Sequence, residues 1–147
     1  YEFPLLRLGD VILMLAEAYN ENGETDKAIA EVNKIRARVD MPGLNSGPTW
    51  MAVNSKDEMT QRIRDERARE LCFESLRKYD LVRWGIYVEA VHDKLGAATQ
   101  DKRWATGNQF IGARDYAART QEKHQFLPIP TKELDVNGKL EQNKYWQ

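Results

Sequence analysis

The strongly apolar residues of this chain lie in two blocks and a tail, separated by polar segments. Leu, Ile, Val and Phe occur 12 times in residues 1–40 and 10 times in residues 59–95, but only twice each in residues 41–58 and 96–125. Six more lie in residues 126–147. In the first block, apolar side chains recur every three or four residues, which is helical spacing; they are Leu8, Val11, Ile12, Leu15 and Tyr19, then Ala28, Val32, Ile35 and Val39. With Gly23 as a stop signal, the pattern predicts a helical hairpin over roughly 5–22 and 25–39.

This hairpin is similar to a tetratricopeptide repeat. The motif places small residues, an aromatic residue and a turn glycine where this chain has Ala16, Ala28, Tyr19 and Gly23, and Pro42 closes the unit. Ile35 departs from the motif, which usually has Ala there. Such repeats bury their apolar faces by stacking on neighbours, and no second copy follows along the chain. We therefore expect companion units upstream in a longer protein.

The second block predicts further helices. Ser55 to Glu58 has the spacing of a capping box, in which the Ser55 hydroxyl accepts from the Glu58 amide and Glu58 reaches back to the cap residue. A long helix should follow, with an apolar side made of Met59, Ile63, Leu71, Leu76 and Tyr79. A further helix should run through residues 81–95 and end at Gly96. Residues 97–125 show no clear period and are interpreted as a long loop or irregular insertion.

The whole pattern predicts an all-α fold: a tetratricopeptide-like hairpin with further helices and long loops. Its parts are the hairpin (1–42), a charged helical segment (55–95), a variable loop region (97–125) and a closing tail (126–147). The net charge of −1 and a pI near 6.2 argue against nucleic acid as a partner. The longest apolar run, residues 11–16, is too short to cross a bilayer, and the single Cys72 excludes an internal disulfide.

Metal and catalytic sites find little support in the sequence. Glu66, Glu70 and Glu74 follow one another at helical spacing, and Glu89 to His92 has the Glu-x-x-His spacing of di-iron proteins. A di-iron site needs two such motifs, whereas this chain has one. Arginines interleave with the glutamates, so an ion-pair network along the helix is the better interpretation. We expect no metal, no cofactor and no catalytic residues, although abundant carboxylates leave glycoside hydrolysis open as a third hypothesis.

Aromatic residues in the polar segments are the candidates for ligand or partner contact. Trp50, Trp104 and Tyr116 lie among Gly, Asn and Arg residues, whereas Trp84 lies in an apolar helical stretch and is expected in the core. An exposed ring on a loop can stack on a sugar or a partner protein. A loop tryptophan can equally fold back over a core, so both interpretations stay open.

A set of ordered motifs resembles the C-terminal part of the SusD/RagB family. They are Phe3–Arg7 leading into Asp10–Ala18, Asn33–Arg36, Glu66-Arg67, Glu70-Leu71, Phe73-Glu74, Arg77, Asp80-Leu81, Arg83–Gly85, Pro128–Pro130, Glu133-Leu134 and Gln142-Asn143. Ser75 stands where the family commonly has Gly, Gly9 where it has Ala, and Lys144 where it has Pro. The resemblance gives the signature residues Glu66, Glu70, Arg77, Asp80, Arg83 and Trp84 a structural role.

The resemblance implies a non-enzymatic binding protein. Family members are helical lipoproteins on the outer face of the outer membrane, which capture glycans or other nutrients and pass them to a SusC-like TonB-dependent transporter. Membrane association would then depend on a lipid anchor outside this chain, because Cys72 does not match the lipid-bearing cysteine. The rival hypothesis is a purely structural, tetratricopeptide-like scaffold for protein contacts.

Overall fold

The computed structural model describes residues 6–95 and 111–147, and helices form the regular structure of these residues. They are α1 (Leu8–Glu21), α2 (Thr25–Arg38), α3 (Lys56–Glu70), α4 (Arg77–Arg83), α5 (Tyr87–Glu89), α6 (Ile111–Arg119) and α7 (Thr131–Val136). Short 3₁₀ turns lie at Thr49–Met51 and Glu122–Gln125, and a π-helical turn, Ala90–Leu95, continues α5. Within the described ranges there is no β-strand, which confirms the all-α prediction. No helix in those ranges is long and apolar enough to cross a membrane.

The chain divides into two units, Tyr1–Arg77 and Lys78–Gln147. In the first unit, α1 and α2 form the predicted hairpin, whose turn depends on Gly23 at φ +80°. The Gly23 amide donates to the Asn20 carbonyl (3.1 Å) and the Glu24 amide to the Tyr19 carbonyl (2.8 Å), which closes the end of α1. A side chain with a Cβ would be strained in this left-handed conformation.

The core of the first unit lies where α3 packs across the hairpin. Leu13 and Val32 are fully buried against Met59 and Ile63 of α3. Asn20 is also buried, and its amide nitrogen donates to the Lys56 carbonyl (3.0 Å) and the Thr60 hydroxyl (2.9 Å). A buried amide that is satisfied in this way fixes the start of α3 against the end of α1.

The cap of α3 follows the sequence prediction with one difference. The Ser55 hydroxyl accepts from the Glu58 amide at 3.1 Å, as predicted. Glu58, however, accepts from the amide of Asn54 (2.7 Å), one residue before the predicted donor. Both bonds satisfy backbone donors at the entry to the helix.

The prediction of one long helix through Tyr79 is wrong. α3 ends at Glu70, and a turn over residues 71–76 separates it from α4. Phe73 and Ser75 take positive φ angles of 65° and 61°, which stop a right-handed helix. The next helical stretch is likewise broken at Gly85, at φ +70°.

Ser75→Gly is expected to stabilise the chain by about 0.5–1 kcal/mol. A non-glycine residue in the left-handed region costs roughly 1–2 kcal/mol, part of which glycine returns through its larger loss of backbone entropy on folding. The measurement is urea denaturation of the wild type and the variant. Ser46→Gly, at a position without a positive φ angle, is the control and should not raise the free energy of unfolding.

In the second unit, the interpretation of residues 97–125 as irregular is wrong for part of the segment. Residues 111–119 form α6, and Ala117 of α6 joins Leu81, Tyr87 and Val91 in a second core. This helix contains few strong core-forming residues, so its apolar positions show little helical periodicity in the sequence. The ring nitrogen Nε2 of His92 bonds the Thr120 carbonyl (2.8 Å), which fastens the end of α6.

Side-chain bonds hold the closing tail in place. The side-chain amide of Gln142 donates to the Ile129 carbonyl (3.0 Å) and accepts from the Ile129 backbone amide (2.9 Å). These are the two bonds that a paired β-strand would make to Ile129. The Trp146 indole nitrogen donates to the carbonyls of Lys123 (3.1 Å) and Phe126 (3.0 Å). The extended Pro128–Pro130 segment is therefore bracketed by side chains.

Candidate functional site

A cleft of about 410 Å³ opens on the first unit, between α2, α3 and the loop that joins them. Its lining combines buried apolar residues, exposed apolar residues and charged groups: Ile35, Arg36, Val39, Met41, Leu44, Trp50, Met51, Arg62, Glu66, Arg69 and Glu70. The volume lies at the lower end of the range for small-molecule sites, about 300–1,000 Å³.

The floor of the cleft is built around the buried guanidinium of Arg36. Its Nη1 donates to Oε2 of Glu66 at 2.8 Å, and both side chains are less than a tenth exposed. Its Nε donates to the Pro42 carbonyl at 2.7 Å, and Nη2 lies 3.6 Å from the sulfur of Met51. One side chain thus joins α2, α3 and the intervening loop, and gives the cleft a rigid base.

The rim of the cleft is apolar and exposed. Trp50 keeps 67% of its surface accessible, and Val39 and Met41 are about half exposed beside it. The backbone beneath the indole is anchored, because Nη2 of Arg62 donates to the Trp50 carbonyl at 2.6 Å. Trp50 therefore points outward from a fixed support and does not cover the core.

Glu70, which lines the cleft, belongs to a cluster of charged side chains that joins α3 to its neighbours. Oε1 of Glu70 accepts from Arg7 (2.6 Å), and its carboxylate also pairs with Arg38 of α2 (2.7 Å). Arg7 in turn bonds Glu74 (2.9 Å), and this hydrogen-bonded guanidinium lowers the pKa of the Glu74 carboxyl. Arg7, just before α1, is thereby joined to the end of α3 and the turn that follows it.

The prediction of an ion-pair network along the α3 helix needs correction. Glu66 and Glu70 pair mainly with residues outside α3, and Arg67 of α3 pairs with Asp10 of α1 (2.8 Å). The longer Arg69–Glu66 pair (3.3 Å) lies within the helix. The periodic charges therefore cross-link three helices, because α3 packs against both α1 and α2.

The remaining signature residues form local contacts. Asp80 is buried and accepts from Nε of Arg83 at 3.1 Å, and the Arg83 guanidinium lies 4.7 Å from the ring centre of Trp84. Trp84 packs against the second core, and Arg77 donates to the Arg64 carbonyl (3.1 Å). Trp104 lies outside the described residues.

A separate cavity of about 450 Å³ lies within the second unit, and Tyr116 is part of its wall. Its lining residues are Lys78, Tyr87, Gly112, Asp115, Tyr116, Arg119, Thr120, His124, Phe126, Leu127, Pro128 and Trp146. The hydroxyls of Tyr87 and Tyr116 share a hydrogen bond. Burial, together with that bond, raises the pKa of Tyr87 to about 12, so the Tyr87 phenol stays protonated at neutral pH.

Metal ligation is not supported by the geometry of the described residues. Within 6–95 and 111–147, no three His, Cys, Asp or Glu side chains converge as a metal site requires. His92 bonds a backbone carbonyl, and Nδ1 of His124 accepts from the Gln121 amide at 2.8 Å. These bonds give both histidines local structural partners.

Sequence reasoning missed Arg36 and the wall of the second cavity. Arg36 occurs within the Asn33–Arg36 motif, but helical spacing alone does not distinguish a buried arginine from an exposed one. Its neighbour Ile35 is also buried, but an adjacent apolar residue does not by itself predict a buried arginine. His124 could not be assigned to this wall from the sequence, because it meets Trp146 only through the fold.

Comparison with known proteins identifies the family. A model of the SusD family matches residues 1–146. SusD-like protein P38 of Formosa agariphila is 41% identical over 67% of this chain and 20% of its own length, and SusD-like protein P25 of that organism is 37% identical over 92% and 22%. A crystal structure of a SusD superfamily protein from Bacteroides vulgatus superimposes with a TM-score of 0.69 at 31% identity, covering 96% of this chain and 27% of that one.

The family match covers residues 1–146 of 147, although the chain spans only about a fifth to a quarter of the length of its curated relatives. The all-α fold and the order of the signature motifs agree with it. The chain belongs to the SusD family.

Proposed function

We propose that this chain is part of a non-catalytic, cell-surface protein that captures oligosaccharide or another nutrient. In this proposal the protein resides at the outer membrane as a lipoprotein and delivers its ligand to a SusC-like TonB-dependent transporter. Family membership supports the nutrient-binding role. The observation that carries the proposal is the cleft of the first unit, with exposed Trp50 above a fixed, charged floor.

The chemistry of the cleft suits a sugar. A pyranose ring presents C–H groups on its faces, which pack on an indole, and hydroxyls around its edge, which bond charged side chains. Arg62 and Arg69 lie within the same cleft as Trp50 and supply donors beside the ring. Tyr116 and Trp104 remain further proposed contact residues, for glycan or for the transporter.

Trp50→Ala is expected to weaken polysaccharide binding about 5- to 150-fold, the effect of removing a central aromatic contact worth about 1–3 kcal/mol. The melting temperature should barely change, since Trp50 is mostly exposed. Affinity electrophoresis of the complete polypeptide encoded by the gene, in gels containing laminarin, xylan or pectin, measures binding. Phe73→Ala, which removes a fully exposed aromatic residue outside the cleft, is the matched control. Equal retardation of Trp50→Ala and wild type in every gel that retards the wild type contradicts the site.

A second candidate function, a scaffold for protein contacts, is favoured by the outer face of α1. Leu8, Val11, Met14 and Leu15 are all exposed there, on a helix whose other face is in the core. A scaffold would be retarded in none of the gels. Release of reducing ends from any of the polysaccharides would instead indicate an enzyme.

A further inference from the structure

We propose that the cavity of the second unit is a separate binding site for a sugar that carries a carboxylate. The proposed function supplies the expectation that the ligand is a sugar. The expectation that it carries a carboxylate comes from the residues that line the cavity.

The walls of the cavity are held in place before any ligand binds. Tyr116 of α6 is fixed by its hydroxyl bond to Tyr87, which is buried in the second core. The Trp146 indole, another part of the lining, donates to two backbone carbonyls of the segment that carries His124 and Phe126. A site whose walls are already ordered loses less entropy when a ligand binds.

The cavity offers aromatic surface to a ring-shaped ligand. Tyr116 and Phe126 line it, and each is about half exposed. Phe126 is stacked on Tyr145, with ring centres 5.5 Å apart and planes at 9°, so its position does not depend on the ligand. The volume of about 450 Å³ suits a small ligand of one or two sugar rings.

The charged groups of the lining favour an anion. Lys78 and Arg119 contribute two positive charges and Asp115 one negative charge. Arg119 is exposed, and among the residues that the structure describes no carboxylate lies within ion-pair distance of it. The Lys78 ammonium lies 5.4 Å from the centre of the Tyr87 ring. A guanidinium without a partner, beside an aromatic wall, is suited to a bidentate bond with a carboxylate.

His124 adds a directional donor. Its Nδ1 accepts from the Gln121 amide, which places the proton of the neutral ring on Nε2. That nitrogen can donate to a hydroxyl or a carboxylate of the ligand. The cavity therefore combines ring stacking, a cation pair and a neutral donor.

Calorimetry of the complete polypeptide with D-glucuronate, D-glucose and acetate tests the proposal. Glucuronate should bind more tightly than either glucose, which lacks the carboxylate, or acetate, which lacks the ring. Added salt should weaken glucuronate binding, because an exposed charge pair is screened. Absence of glucuronate binding, or equal affinity for glucose, overturns the proposal.

Arg119→Gln should weaken glucuronate binding about tenfold or more, as expected for a lost charge-assisted hydrogen bond. Arg114→Gln is the matched control, because Arg114 is an exposed arginine of the same helix outside the cavity, and it should change the affinity less than about twofold. Asp115→Asn should tighten binding by removing the like charge. An unchanged affinity in Arg119→Gln contradicts the site.

The variant Trp50→Ala separates the two proposals. It lies in the cleft of the first unit and should leave glucuronate binding unchanged while it lowers retention by polysaccharide gels. Loss of gel retention alone supports the cleft, and loss of glucuronate binding in Arg119→Gln alone supports the cavity. If Trp50→Ala abolishes glucuronate binding, the ligand occupies the cleft and the proposal for the cavity is wrong.

Discussion

Glu66→Ala should lower the free energy of unfolding by about 3–5 kcal/mol, the typical cost of removing one partner from a buried ion pair. The Glu66 carboxylate is the ion-pair partner of the buried Arg36 guanidinium, at 2.8 Å. Without it, a positive charge stays in the core beside two uncharged groups, the Pro42 carbonyl and the Met51 thioether. Urea denaturation followed by circular dichroism measures the loss.

An exposed pair in the same unit supplies the control for that experiment. Glu21 pairs with Lys56 at 2.8 Å, but both side chains are about half exposed or more. Glu21→Ala should therefore cost no more than about 1 kcal/mol. A loss in Glu66→Ala as small as the loss in Glu21→Ala would show that water reaches the Arg36–Glu66 pair.

Leu13→Ala should destabilise the chain by about 2–5 kcal/mol, through lost apolar burial and the cavity left behind. Leu13 has no accessible surface and lies where α1 meets α2 and α3. Leu15→Ala is the matched control, since Leu15 lies on the same helix but keeps 40% of its surface exposed. The control should lose clearly less stability, and equal losses would contradict the assignment of the inner face of α1.

The sequence predicted the hairpin well because two strong signals coincide there. Apolar spacing marks both helices, and Gly23 takes the left-handed conformation for which glycine is best suited. The end of α3 was missed because Phe73 and Ser75 adopt positive φ angles without being glycine. Apolar residues on both sides of the turn continue a helical spacing, so periodicity alone could not reveal the break. The sequence signal for the break is Ser75, which stands where the family commonly has glycine.

Sequence reasoning selected Trp50, which lies exposed on the rim of the cleft, and it missed the buried charges beneath; ligand contact by Trp50 stays a prediction. Trp50 was identifiable because an indole in a polar loop is unusual. Arg36 was not, because its role depends on three partners from α3 and from the loop after α2. Residue types show which side chains can bind a ligand, whereas the support beneath them is set by contacts distant in sequence.

The cleft combines a rigid floor with an exposed rim, and substitutions in these two parts differ in how much stability they cost. Arg36 and Glu66 serve folding and the cleft at once, so substitutions there are removed by selection for stability before ligand choice can be tested. Val39, Met41 and Trp50 are at least half exposed, so replacing them costs the fold little. New nutrient specificities are therefore expected to arise by exchange of rim residues on a constant floor.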